Sequence, residues 1–233
     1  MPSLREPVAF HLLVNGRYEP ALRRLLERRL SPGDAYVDVG ANVGAFVLPA
    51  SRMVGPGGAV LAVEAAPGVL PYLRRTVQVN DLTNVRIAGV AAAAAASGAT
   101  DFYEAPADHF GMGTRAPRFH AAPITVPADT LDGLLARHAM TRVRVLKLDV
   151  EGGEADVMDG AAGLLEGDEP PLVVFEFADW AEAGLHPPGT AQQRLLDAGF
   201  RLRRLPDFLR GRQRWLERPL TTGTETFVAE RGP

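Results

Sequence analysis

Asp38, Gly40, Asn42 and Gly44 fall within Tyr36-Val37-Asp38-Val39-Gly40-Ala41-Asn42-Val43-Gly44-Ala45-Phe46, and Glu64 closes Leu61-Ala62-Val63-Glu64 twenty residues beyond Gly44. A β-branched run that ends in a carboxylate and a glycine and continues into an apolar segment reads as strand, tight turn and helix. A second strand ending in a carboxylate can accept hydrogen bonds from both hydroxyls of a ribose. Together they form the nucleoside-binding half of a Rossmann-like α/β domain.

The departures from the dinucleotide pattern indicate the ligand. A pyrophosphate turn needs Gly-x-Gly-x-x-Gly so that the backbone can approach the phosphates. Counted from Gly40, this chain has Asn42 at the second place and Ala45 at the third. Asp38 adds negative charge where phosphates would lie, opposing the helix N-terminus. S-adenosylmethionine suits these residues better: it has no phosphate, its ammonium and sulfonium are attracted by a carboxylate, and its methionine part needs only a glycine turn. Glu64 would then make charge-assisted bonds to the ribose. The rival enzyme class is a nicotinamide-dependent oxidoreductase, which Asp38 and Asn42 disfavour. A binding module that keeps the fold without turnover is the non-enzymatic alternative.

The chain resembles the FkbM family of S-adenosylmethionine-dependent methyltransferases. The resemblance rests on residues 30–44, on Glu64-Ala65-Ala66-Pro67, Asn80 and Thr130-Leu131-Asp132, and above all on Leu146-Lys147-Leu148-Asp149-Val150-Glu151-Gly152-Gly153-Glu154. It implies a class I methyltransferase fold: a seven-stranded, mostly parallel sheet with helices on both faces and an antiparallel last strand. It also implies O-methylation of a hydroxyl, or a carboxylate, on a small-molecule acceptor such as a sugar or another secondary metabolite. Ala66 interrupts the shorter Glu-Pro form, and residues 105–123 match less clearly.

Methyl transfer is an in-line displacement, so the protein must hold the acceptor oxygen and take or stabilise its proton. Asp149 and Glu151 follow a predicted strand over Val143 to Leu148, which delivers them to the sheet edge where open α/β sheets bind ligands. Asp149 is the first candidate base or orienting group and Glu151 the second. Glu154 is read as favouring the next helix's first turn. Lys147 is a counterion for Asp149 or Glu151, or faces outward. Beyond the next apolar strand, which carries Glu176, lie Trp180, an aromatic anchor or acceptor platform, and His186, a further candidate base. Asp149, Glu151 and Glu176 could instead hold a divalent cation, but no metal ligand is assigned. The cofactor set is Asp38, Gly40, Asn42, Gly44, Glu64 and Ala91, the last because small residues at a strand end leave room for an adenine ring.

The positioning elements follow from periodicity. Leu22, Leu25, Leu26 and Leu30 mark a helix over Tyr18 to Leu30 that packs on the domain or covers the cofactor. Strands are expected at Ala35–Val39, after the Gly55-Pro56-Gly57-Gly58 turn, and at Val85–Val90, Val143–Leu148, Leu172–Phe177, Phe200–Leu205 and Thr224–Ala229. Helices are expected at Val43–Val54, Gly68–Asn80 and Gln192–Ala198. Asp101–Tyr103 and Ile124–Val126 flank a long loop whose His109 and His120 read as exposed loop residues. Arg210, Arg212, Arg214 and Trp215, flanked by Asp207 and Glu217, read as a solvated basic loop.

With 233 residues, 46% of them hydrophobic, the chain suits one domain: an N-terminal helical segment (1–32) and a Rossmann-like core (33–233). A net charge of −3 offers nucleic acid and anionic membranes no general attraction, and the absence of cysteine excludes disulfides and thiolate chemistry. With no apolar run long enough to span a bilayer, the expected protein is cytoplasmic, with a small-molecule acceptor as its partner; a homodimer is compatible with the sequence.

Overall fold

The computed structural model describes residues 7–106, 109–118 and 122–232. Its main sheet has seven strands in the order β3-β2-β1-β7-β8-β10-β9, where β1 is Ala35–Val39, β2 Ala59–Val63, β3 Val85–Ala88, β7 Val143–Leu148, β8 Leu172–Ala178, β9 Phe200–Arg204 and β10 Thr224–Arg231. β1 pairs in parallel with β2 and β7, β2 with β3, and β7 with β8, while β10 runs antiparallel to both neighbours. The chain leaves β1 toward β3 and returns to β7, which makes the β1–β7 junction the topological switch point.

Strand periodicity divides the core into two layers. On one face, Val37, Val39, Leu146, Leu148 and Phe175 pack among residues of α5 (Leu131–Arg137), α6 (Glu154–Asp159), α7 (Ala162–Glu166) and α9 (Thr190–Asp197). On the other, Tyr36, Val60, Val145, Val174 and Val228 meet α2 (Pro20–Arg29), α3 (Val47–Val54) and α10 (Leu205–Leu209). Helices therefore cover both faces. The amphipathic leucines of α2 are fully used, with Leu25 and Leu26 at 0% exposure. α1 (Pro7–Asn15) precedes α2, and α8 (Asp179–Glu182) follows β8.

Two local departures from the sequence expectations have physical causes. The helix expected from Val43 begins only at Val47, because Asn42 and Gly44 are left-handed (φ 49° and 90°) and residues 41–46 stay in a turn. α4 spans Leu70–Val79, inside the expected Gly68–Asn80, with a proline in its first turn. A second sheet, unforeseen as a unit, has the order β4-β6-β5, formed by Ala91–Ala92, Ile124–Asp129 and Gly98–Phe102. Thr130 caps α5 by accepting a bond from the Gly133 N–H at 3.1 Å, and Asp132 caps α7 through the N–H groups of Gly163 and Leu164. Among the described residues, no helix is long and apolar enough to cross a membrane.

Candidate active site

Strand register assembles the charged centre. Asp38 of β1 lies beside Lys147 of β7 in the parallel ladder. Residues two apart share a face, so Asp149 follows Lys147 on that face, and Glu176 takes the equivalent place on β8, where Leu148 pairs with Phe175. Lys147 Nζ lies 3.1 Å from Asp38 Oδ1, 3.3 Å from Asp149 Oδ2 and 3.4 Å from the Gly40 carbonyl oxygen. It also sits 5.6 Å from the centre of the Phe46 ring. Lys147 and Asp38 are buried, while the Asp149 side chain is 30% exposed. Burial opposes the Lys147 ammonium, but the carboxylates of Asp38, Asp149 and Glu19 outweigh it and hold the amine above its ordinary value. Asp38 is raised by burial, with Lys147 opposing the rise.

The switch point is closely packed. Gly40 has φ 79°, and a Cβ there would lie 1.8 Å from the Asp149 carbonyl oxygen, so only glycine lets the first turn pass over the end of β7. On the other side of the turn, Glu64 Oε2 accepts the Asn42 N–H and Oε1 the Ala66 N–H, each at 2.8 Å. Burial raises the Glu64 carboxyl against these two bonds. Asn42 Oδ1 is buried without a hydrogen-bond partner among the described residues.

A cavity of about 230 Å³ opens along this edge. Of the residues singled out from sequence, Gly40, Asn42, Glu64, Ala91, Asp149, Glu151 and Glu176 line it. Three candidates lie elsewhere. Asp38 is 0% exposed behind the turn, because its position in β1 points it at Lys147. Gly44 lies against Leu73 and Thr76 of α4. His186 is drawn away by Asp156, whose Oδ1 is 2.9 Å from its Nε2. Trp180 is half exposed, with the Arg118 guanidinium 4.3 Å over its ring. His120 lies outside the described residues.

Residues not singled out complete the walls: Val8 of α1, Tyr18, Phe102, Arg115 and the glycines of the loop after β5. That loop is tied down on three sides. Thr114 and Tyr103 form a bridge, Thr114 Oγ1 donates to the Glu151 carbonyl oxygen at 2.8 Å, and Arg115 Nη1 lies 2.5 Å from Asp156 Oδ2. Gly111 passes so near Asn42 that a Cβ would fall 2.1 Å from Nδ2. Its unusual length was the sequence signal for this segment, but length alone does not say which residues turn inward.

Glu151 has a left-handed backbone (φ 56°) and lies 3.6 Å from Arg118 Nη1. Burial first, then the charges of Asp149, Glu176 and Glu154, push its carboxyl up to about 8 against the pull of Arg118. Glu176 is raised by partial enclosure and by Asp149, although its residue stays open to solvent. Glu154 accepts the Val150 and Gly152 N–H groups at 2.8 and 3.0 Å, which makes it a structural brace for the loop before α6; burial raises it to about 7. Among the described residues, no group of three or more acidic or histidine side chains could hold a metal ion.

This architecture recurs in solved structures of low sequence identity. A precorrin-6y C5,15-methyltransferase of Geobacter metallireducens is 15% identical, with 91% of this chain and 87% of that one covered at a TM-score of 0.50. SMU.1697c of Streptococcus mutans, assigned as a methyltransferase and solved with S-adenosylhomocysteine, is 9% identical over 91% and 96% of the two chains at 0.52. A Clostridium thermocellum protein assigned as an rRNA methylase is 7% identical over 93% and 97% at 0.54. No match was found among curated proteins. The model of the FkbM methyltransferase domain matches residues 38–202, most of the chain, from Asp38 in β1 to Leu202 in β9. The chain therefore belongs to the FkbM family of methyltransferases, enzymes whose cofactor is S-adenosylmethionine.

Proposed function

We propose that this methyltransferase acts on a hydroxyl of a small-molecule acceptor, a sugar or another secondary metabolite, with a carboxylate as the second acceptor type. The observation that carries the reading is Asp149: a carboxylate at the end of β7, facing the cavity and 3.3 Å from a buried ammonium.

The lining of the cavity suits the cofactor's polar groups. Each Glu64 oxygen uses one acceptor site on a backbone N–H, and a carboxylate has about four, so capacity remains for two ribose hydroxyls. Asn42 Oδ1 offers an unused acceptor in the same wall, and Ala91 leaves room beside it. S-adenosylmethionine, when bound, supplies an electrophilic methyl group on a sulfonium.

The remaining work falls to the chain's own side chains. Asp149, oriented by Lys147, accepts the acceptor hydroxyl's hydrogen bond or proton, and such positioned bases contribute about 10²–10⁴-fold. Glu151, which holds its proton near neutrality, is suited to donating a hydrogen bond to the same acceptor. Arg115 and the loop after β5 exclude water from one side. Four acidic side chains in the wall, Glu64, Asp149, Glu151 and Glu176, against Arg115 disfavour phosphates, which supports a small neutral acceptor over nucleic acid.

The test begins with calorimetric titration of S-adenosylhomocysteine into the parent, Glu64→Ala and Asp149→Asn proteins. Labelled methyl transfer to a panel of hydroxylated acceptors follows, with RNA alongside. The expected pattern is weakened binding for Glu64→Ala, and binding kept with transfer lost for Asp149→Asn. Label passing to RNA and to no small molecule would overturn the acceptor class, and an Asp149→Asn enzyme of full rate would overturn the role of Asp149.

A further inference from the structure

At the opposite edge of the main sheet, where the parallel strands begin, lies a groove of about 800 Å³. Its walls come from the segments before β1, β7 and β8, the start of β9, the end of β10 and the loop carrying Trp215. Those five strands are neighbours in the sheet, so at about 4.8 Å per strand the groove crosses roughly 19 Å.

Its charge is opposite to that of the chain. Five arginines line it against three carboxylates, on a protein of net charge −3. The carboxylates are already engaged. Glu230 pairs with Arg29 at 3.3 Å and Arg203 at 2.8 Å, Glu169 pairs with Arg142 at 2.9 Å, and Asp34 accepts the Ser31 N–H at 2.8 Å. Arg144, Arg201 and Arg231 remain without a carboxylate partner among the described residues. Arg144 reaches the Arg29 carbonyl oxygen at 3.4 Å, Arg231 the carbonyl oxygens of Leu165 at 3.1 Å and Gly167 at 3.4 Å, and Arg201 lies 3.8 Å over the Trp215 ring.

We propose that this groove docks an acidic segment of a partner protein in an extended conformation. The spacing selects that occupant. Arg144 stands at β7, Arg231 at β10 and Arg201 at β9, three strand intervals or roughly 14 Å from first to last. The intervals are unequal, two strands from Arg144 to Arg231 and one from Arg231 to Arg201, and an extended peptide of five or six residues, at about 3.4 Å per residue, is long enough to cross them with its carboxylate side chains taking up the difference. A single phosphate is far shorter than the three strand intervals between Arg144 and Arg201. A continuous polyphosphate backbone would also meet Glu169 and Glu230, whereas a peptide can place neutral residues there. Guanidinium forks suit carboxylates, and the Trp215 ring stiffens one of them.

Fluorescence anisotropy with a labelled hexapeptide alternating glutamate and threonine tests the proposal. The controls are the same peptide with glutamine for glutamate, a single-stranded DNA 12-mer and inorganic pyrophosphate as competitor. Saturable binding of the glutamate peptide at low salt is expected, weakened at least about tenfold by Arg144→Ala/Arg201→Ala/Arg231→Ala, since each charged hydrogen bond is worth about a decade. S-adenosylhomocysteine binding, at the other edge of the sheet, should be unchanged in that variant, which also shows that it is folded. The proposal is overturned if the glutamate peptide does not bind, if the glutamine peptide binds equally, if the DNA binds more tightly, if pyrophosphate at equal concentration displaces the peptide completely, or if the triple variant binds as the parent does.

Discussion

Replacing Lys147 with methionine isolates the energetics of the charged centre. Among the described residues, the ammonium is the single cation within 4 Å of Asp38, and the two side chains are 5% and 1% exposed. Methionine fills most of the same volume, so packing is largely kept while Asp38 is left as an uncompensated buried carboxylate. Breaking a buried pair in this way costs about 3–5 kcal/mol, against roughly 5–15 kcal/mol for a whole domain. With about 2 °C of melting temperature per kcal/mol in a chain this long, Lys147→Met should melt roughly 6–10 °C lower. Asp38→Asn should cost less, because Lys147 keeps Asp149 at 3.3 Å. The double variant should recover part of the Lys147→Met loss, since no stranded charge remains at position 38. Thermal denaturation of all four proteins at neutral pH, read by circular dichroism, completes the cycle. A Lys147→Met protein melting within about 2 °C of the parent, or a double variant showing purely additive losses, would refute the reasoning.

Three further outcomes follow from the same geometry. Glu151 and Glu154 hold their protons to about 8 and 7, above the ordinary 4.5, so the folded state keeps protons that the unfolded chain has already released. Stability of the ligand-free protein should therefore be greatest below about pH 4.5 on this account and fall as pH rises toward 8, with Glu151→Gln flattening the melting-temperature profile between pH 5.5 and 8.5. Gly40→Ala forces a Cβ to 1.8 Å from the Asp149 carbonyl oxygen and should abolish S-adenosylhomocysteine binding in calorimetry, while Gly57→Ala, with nothing within 4 Å, should not. Arg115→Ala releases the loop from Asp156, and amide exchange over residues 109–118 should accelerate at least several-fold, with β7 unchanged.

The main sheet was legible because its strands are short β-branched runs between glycine turns, and because Glu64 and Asp149 each end such a run. Less visible was what side-chain parity does once strands pair. Asp38 looks like a ligand-facing carboxylate in a linear motif, yet its register with Lys147 turns it into the sheet's interior. His186 precedes two prolines in an otherwise unmarked loop, and only the fold reveals Asp156 thirty residues away as its partner. The small sheet was hidden for another reason: β4 is two alanines long, and β5 has no buried alternation beyond Phe102. Arg115 and Arg118 carried no signal, since a guanidinium in a long loop reads as solvated until its neighbours are known.

The loop over the cavity hangs from β5 and β6; β6 pairs with β5 and with β4, and among the described residues neither pairs with a strand of the seven-stranded sheet. The Gly40 turn and the end of β7, by contrast, lie so close that a single added Cβ at Gly40 would overlap the Asp149 carbonyl oxygen. The molecule is thus divided into a closely packed socket and a cover carried on a sheet of its own. A hairpin of different length or composition grafted between β5 and β6 leaves the strand pairings of the main sheet in place but must replace the contacts that Thr114 and Arg115 make to Glu151 and Asp156, whereas a change at the socket disturbs two strands at once. Diversification toward new acceptors has an open route through the cover, and a designer seeking to retarget the enzyme would begin there.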